Sequence, residues 1–177
     1  ATLSEDIYAG ERLVMKSGSR IRSTQIGLAA SIGLDHLPTR PHPRVVVISA
    51  GPDLVEPGLD LTGDEEYETN SWLLTTAVRE TGAVAYRVHS IPENEDQLKD
   101  AIEDQLVGAD LVIISGERHD DSFDLITRTL KQLGEITEVE IAIDSSGRHN
   151  FGTIGPDKVP VVTLPGDPIA AYISFEL

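Results

Sequence analysis

Three apolar runs constrain the fold of this chain most strongly: "RVVVIS" at 44–49, "DLVIIS" at 110–115 and "VPVVTL" at 159–164. A continuous run of β-branched residues is typical of a strand that is buried on both faces of a sheet. Segments with helical spacing of apolar residues separate these runs, and "ENEDQLKDAIEDQL" is clearly amphipathic. This alternation predicts an α/β fold, namely a three-layer α/β/α sandwich with a mostly parallel sheet.

The other elements of the sandwich can be placed by their flanking residues. One helix is expected after an N-cap at Thr69 or Asn70, a second runs from a cap at Ser122 to Gly134, and a third has Pro168 in its first turn. The further predicted strands are "AVAYRV", "VEIAI" and "FGTI".

Residues 1–40 differ from the rest of the chain. They predict a short hairpin or extended arm around Gly10, followed by a helix with its N-cap at Ser23 or Thr24. The proline-rich "PTRPHP" reads as a linker, so the α/β domain is expected to occupy 41–177. The chain starts without methionine and stops within an apolar pattern, and we expect both ends to be cut from a longer protein.

Charge and composition narrow the class of partner. The chain has 177 residues, no cysteine and a formal net charge of -16. This negative field disfavours nucleic acid and anionic membrane surfaces as partners, and the lack of cysteine excludes disulfides and thiolate zinc sites. With no signal peptide or membrane-length apolar run, the cytoplasm is the expected location.

The loops that follow the predicted strands carry carboxylates and glycines. In open α/β sheets ligands bind at the carboxyl ends of the strands, and oxygen ligands from separate loops are what Mg²⁺ prefers. The competing interpretation is that Asp53, Glu93 and Asp167 cap helices and turns, and that the acidic loop after Gly116 is a solvated surface. Trp72 is expected in the core.

Several segments together resemble the molybdopterin-binding domain of the MoeA and gephyrin family. They are "RVVVISAGPDLVEPG", "YETNSWLL", "GADLVIISG", "FDLI" and "LPGDPIAAYISFEL", in this order along the chain. The stretch before them, "EDIYAGERLVMKSGSRIRSTQIGLAASIGL", is similar to what precedes that domain, so 1–40 would be its remnant. The resemblance implies molybdenum cofactor biosynthesis, with insertion of molybdate into adenylylated molybdopterin, Mg²⁺ as cofactor, and a homodimer of the longer protein.

The resemblance also assigns roles to residues of this chain. It implies catalytic roles for Asp53 and Asp124, and a Mg²⁺ site at Glu93 and Asp124. The residues implied to bind the small anionic pterin substrate are Asn70, Ser115, Gly116, Arg148, Gly166 and Asp167.

This chain departs from the family pattern at positions of the loops that the resemblance assigns to substrate binding. Glu117 replaces a glycine of the phosphate loop, His119 replaces a serine, and Asp144 replaces a lysine. Carboxylates beside a polyanionic ligand add repulsion. Three functions therefore stay open: an active molybdopterin molybdenumtransferase, a catalytically degenerate member that binds a protein partner as a scaffold, and a protein that binds a different small, acid-tolerant ligand in the same cleft.

Overall fold

The computed structural model describes residues 1–89, 91–116, 120–141 and 147–177, without the side chains of Asp120 and Asp121. Within it the chain divides into two compact units, Ala1–His42 and Pro43–Leu177. Each unit has its own apolar core.

The first unit contains a hairpin and a helix. Strands β1 (Ile7–Ala9) and β2 (Arg12–Met15) pair antiparallel, and helix α1 (Ser23–Ser31) follows. The predicted N-cap at Ser23 or Thr24 is wrong by a residue or two. Arg22 is the N-cap, and its backbone N–H donates to the side-chain oxygen of Gln25 at 3.1 Å.

The second unit is the α/β domain. Its strands are β3 (Arg44–Ser49), β4 (Leu54–Val55), β5 (Glu66–Tyr67), β6 (Val84–Arg87), β7 (Leu111–Ser115), β8 (Gly134–Glu140), β9 (Arg148–Ile154) and β10 (Val159–Leu164). Its helices are α2 (Asn70–Glu80), α3 (Glu95–Leu106), α4 (Asp120–Leu133) and α5 (Pro168–Glu176).

A mostly parallel sheet forms the middle layer. Among the described residues it has six strands in the order β6-β3-β7-β10-β9-β8. Strands β6, β3, β7 and β10 pair parallel to one another, whereas β9 is antiparallel to both β10 and β8. Short β4 and β5, which the sequence did not predict, pair separately and parallel.

The two faces of β3 explain the three layers. Val46 and Ile48 belong to a core cluster that includes Leu98 of α3 and Leu130 of α4. Their neighbours Val45 and Val47 belong to a second cluster with Leu74 of α2 and Ala171 of α5. Successive strand residues point to opposite faces, so one continuous apolar run serves both layers. The predicted α/β/α fold is confirmed.

Two boundaries differ from the sequence prediction. Helix α4 begins at Asp120, so Ser122 is a buried residue of its first turn rather than its cap. Strand β8 occupies Gly134–Glu140 instead of the predicted 139–143, because the register of β8 on β9 starts at Gly134 opposite Ile154. Of the predicted strand, 142 and 143 lie outside the described residues.

Candidate functional site

Three parallel strands end side by side at the candidate site. Ser115, the last residue of β7, is in register with Ser49 of β3 and with Leu164 of β10. Ser115 is fully buried, and its hydroxyl donates to the carbonyl of Pro165 at 3.0 Å. Open α/β folds bind ligands at these carboxyl ends of the parallel strands.

Asn70, the first residue of α2, connects three of the sequence motifs. Its side-chain Nδ2 donates to Ser115 Oγ at 2.7 Å and to the carbonyl of Gly166 at 2.7 Å. The same amide leaves Oδ1 buried without a hydrogen-bond partner among the described residues. A buried acceptor in that state typically costs about 1–3 kcal/mol unless a ligand or water satisfies it.

Glu68 fixes the start of α2, a role that sequence reasoning missed. It is 1% exposed, and its Oε1 accepts from Ser49 Oγ at 2.6 Å and from the Ser71 backbone N–H at 2.7 Å. Its Oε2 accepts from Ser71 Oγ at 2.5 Å. Thr69 is the N-cap of α2 by position, as predicted. Its hydroxyl does not cap the helix, because it donates to the carbonyl of Tyr67. We call Glu68, Asn70 and Ser115 the buried polar group.

Gly116 is required by packing. A Cβ at this position would lie 2.5 Å from Ser122 Oγ, 3.1 Å from Ser122 Cβ and 3.2 Å from Ile126 Cδ1. The end of β7 therefore lies directly against the first turns of α4. The glycine fits this close approach whether or not a ligand also contacts it.

Asp167 is the N-cap of α5. Its Oδ1 accepts from the backbone N–H groups of Ile169 and Ala170, both at 3.0 Å, and Pro168 occupies the first turn as predicted. The structure thus gives Asp167 the capping role that the sequence left as the alternative to ligand binding.

A cavity of about 290 Å³ lies beside the buried polar group. Its walls include Ser49, Asn70, Gly116, Gly166 and Pro168, which come from four of the motifs that carry the family resemblance. The charged side chains of its lining are Glu65, Glu66 and Glu68.

The predicted catalytic and metal-binding carboxylates are all exposed. Asp53 is exposed, and its carbonyl accepts from the Glu66 backbone N–H at 2.9 Å. Glu93 is exposed before α3, and Asp124 pairs with Arg148 at 3.0 Å. Throughout the described part of the chain, no three His, Cys, Asp or Glu side chains cluster in a way that could hold a metal ion.

Arg148 belongs to a surface network that we call the exposed charge group, together with Asp124, Lys131 and Glu138. Its guanidinium lies 3.0 Å from Asp124 Oδ1, 3.7 Å from Glu138 Oε2 and 4.3 Å from the centre of the Phe123 ring. Lys131, which bonds to Glu138 at 2.5 Å, lowers the pKa of that carboxyl, and Arg148 adds to the effect against partial desolvation. Arg148 makes both of these ion pairs through Nη2.

Several residues of the predicted phosphate and lysine loops, among them Glu117, His119 and Asp144, lie outside the described residues. Within the described ranges, no helix combines the length and apolar character needed to cross a bilayer.

The fold and the position of the cavity define a class: a mostly parallel α/β domain with a cavity at the carboxyl ends of its central strands. Residues 46–177 match the family model for the probable molybdopterin binding domain, MoCF_biosynth, and the chain belongs to this family. The resemblance to MoeA proteins is thereby confirmed.

Relatives and solved structures agree with this assignment. Molybdopterin molybdenumtransferase 1 of Mycobacterium tuberculosis is 30% identical over 98% of this chain, and the match covers 40% of that protein. Molybdopterin molybdenumtransferase of Haemophilus influenzae is 27% identical over 98% of this chain and 42% of its own length. The molybdopterin biosynthesis MoeA protein of Pyrococcus horikoshii superposes with a TM-score of 0.77 at 30% identity, covering 93% of this chain and 40% of that one. The chain thus spans less than half the length of these relatives.

Proposed function

We propose that this chain acts in molybdenum cofactor biosynthesis as the molybdopterin-binding part of a MoeA-like molybdenumtransferase. The observation that carries the proposal is the amide of Asn70, which joins the ends of β7 and β10 at one cavity. The family match supplies the ligand class. In the longer protein the reaction would insert molybdate into adenylylated molybdopterin.

The residues proposed for ligand binding fall into two sets. Asn70, Gly116 and Gly166 line the cavity, with Ser115 and Asp167 holding their loops in place. Arg148 lies outside this lining and is proposed to meet the anionic end of the ligand after release from Asp124.

Mg²⁺ at Glu93 and Asp124, and catalysis by Asp53 and Asp124, stay predictions for the longer protein. The described residues form no metal-binding cluster, so no step of the reaction is derived through the metal. Also proposed are a homodimer of the longer protein, a cytoplasmic location, and an origin of the first 40 residues as the remnant of the preceding family domain. No specific observation favours the scaffold alternative.

The direct test fills the cavity without touching the buried polar group. Leu61 lines the cavity and is 41% exposed, so Leu61→Trp adds bulk there while removing little core packing. We expect this change to weaken molybdopterin binding at least about tenfold, because the pterin ring and the new Trp side chain would compete for the same space. Calorimetric titration of the 177-residue chain measures it.

Leu59→Trp is the matched control, since Leu59 lies in the same loop, is 60% exposed and does not line the cavity. Equal binding by both variants would show that molybdopterin does not occupy this cavity. No binding by the unmodified chain would count against the proposed function itself.

A further inference from the structure

The described residues border a second cavity, of about 480 Å³, at the opposite end of strand β10 from the buried polar group. Strand β10 ends at Leu164, in register with Ser115, whereas its first residue, Val159, lines the second cavity. The linings of the two cavities share no residue. We call the second cavity the α3–α4 groove. Its lining lies within 103–107 at the end of α3, 132–133 at the end of α4 and 155–159 in the turn from β9 to β10.

Gly155 holds the walls of the groove together. Its backbone N–H donates to the carbonyl of Leu133 at 3.0 Å, and this bond joins the turn to the end of α4. The φ angle of Gly155 is +71°, and a Cβ at this position would lie 2.6 Å from Leu106 Cδ1. Glycine is the residue that combines this backbone conformation with so close an approach of α3. The groove is therefore a fixed feature of the packing between α3, α4 and the turn.

Apolar side chains cover much of the groove: Leu106, Val107, Leu133, Pro156 and Val159. Val159 is only 6% exposed, whereas Val107 is 92% exposed. Val107 thus lies at the rim, and an occupant that covers it has to extend beyond the groove. A segment of a partner protein can do this, whereas a small molecule held inside the groove cannot.

The ionisable side chains of the lining are two carboxylates, those of Glu103 and Asp157. Both residues are exposed. Lys158 follows Asp157 in the turn but is not part of the lining. A cation that enters the groove would therefore meet two opposite charges at its wall.

The ends of α3 and α4 add to the negative potential. Both helices end at the groove, at Leu106 and Leu133, and the C-terminal end of a helix carries a partial negative charge. The last turn of α3, which is described throughout, has no basic residue. Lys131 in the last turn of α4 is paired with Glu138. The helix ends and the carboxylates thus favour the same kind of occupant, one with a positive charge.

We propose that the α3–α4 groove docks a basic segment of a partner protein, in which an arginine or lysine lies beside a bulky apolar residue. The apolar residue packs between the ends of α3 and α4, and the cation meets Glu103 and Asp157. A second copy of this chain is disfavoured as the occupant by its formal net charge of -16. Docking here leaves the molybdopterin cavity untouched, so it does not require the degenerate site of the scaffold alternative.

Three hexapeptides test the chemistry of the occupant. The first contains two leucines and two arginines, and the others carry glutamines or glutamates in place of the arginines. In calorimetric titration of the chain we expect the arginine peptide to bind at least about tenfold tighter than the glutamine peptide, and the glutamate peptide to bind most weakly. Equal affinity for the arginine and glutamine peptides would overturn the inference.

Glu103→Lys locates the binding. This variant should bind the arginine peptide about fivefold more weakly and the glutamate peptide more tightly than the unmodified chain does. Asp104→Lys is the matched control, because Asp104 is exposed on the same helix, lies outside the lining and gives the same change in net charge. Equal effects of both variants would show that net charge rather than the groove attracts the peptide, and would overturn the inference.

Val107→Ser tests the apolar rim. The variant should fold normally because Val107 is 92% exposed, and it should bind the arginine peptide about threefold more weakly. Unchanged affinity would exclude Val107 from the docking surface and contradict the inference. A dimer of the unmodified chain in sedimentation that Val107→Ser dissociates would assign the groove to a second copy instead, and would overturn the inference as well.

Discussion

The buried polar group and the exposed charge group both contain residues predicted to bind substrate, yet they differ in physical setting. Glu68, Asn70 and Ser115 are buried, and their hydrogen bonds hold separate loops together. Asp124 and Arg148 are about half exposed and pair across the surface. Buried hydrogen bonds to a charged group are strong and costly to break, whereas exposed ion pairs are screened by water. A motif residue therefore has to be judged by its environment as well as its identity.

The largest loss of folding stability in either group is expected when Glu68 is substituted. Glu68→Ala leaves Ser49 Oγ and the Ser71 N–H without their acceptor, and we expect the free energy of unfolding to fall by about 3 kcal/mol. Denaturant titration measures the change. Thr69→Ala removes a neighbouring exposed hydroxyl and should lose less than about 1 kcal/mol. Similar losses for both variants would mean that Glu68 does not hold the site together.

A smaller loss of folding stability is expected when Gly116 is substituted, at the point where the end of β7 lies against α4. Gly116→Ala forces a methyl group against Ser122 and Ile126 and should destabilise the fold by about 1–3 kcal/mol. Gly108→Ala is the control, because a Cβ there would meet only Arg44 Nη1, at 3.7 Å. In a Ser122→Ala background the penalty at Gly116 should shrink, since the closest clash is with the hydroxyl. An unchanged penalty would locate the strain elsewhere.

The smallest effect is expected in the exposed charge group. Because Lys131 lowers the pKa of Glu138 in the folded state, the pair stabilises the fold above the ordinary carboxyl pKa. That stabilisation is lost as the pH falls through the lowered value. Glu138→Gln should therefore lower the free energy of unfolding at neutral pH by only roughly a few tenths of a kcal/mol. The difference from the unmodified chain should vanish in acid.

Thermal unfolding across this pH range measures the difference, with Glu140→Gln on the same strand as control. A difference that grows in acid would contradict the assigned sign.

The sequence predicted the sheet and helices well because their signals are local. Continuous β-branched runs gave the parallel strands, and Pro168 marked the start of α5. The role of Glu68 was missed because one of its hydrogen-bond partners, Ser49, lies 19 positions away at the end of another strand. The bond from Asn70 to Gly166 spans 96 positions and follows from the strand order, which no local pattern contains.

Trp72 is a second residue whose environment a local sequence pattern does not reveal. The sequence predicted a core residue, but Trp72 is 52% exposed. The guanidinium of Arg87 lies 4.2 Å from its ring centre and also pairs with Glu56. Contacts with a neighbouring strand therefore support the ring at the surface, and a hydrophobicity pattern alone does not reveal such a partner.

The central claim is that ligand binding depends on the cavity beside the buried polar group more than on the exposed charge group. The most direct measurement is calorimetric titration of molybdopterin into Leu61→Trp and Arg148→Ala side by side. The account predicts that Leu61→Trp weakens binding at least about tenfold while Arg148→Ala weakens it less, because Arg148 is already paired with Asp124. Intact binding by Leu61→Trp together with loss in Arg148→Ala would contradict it.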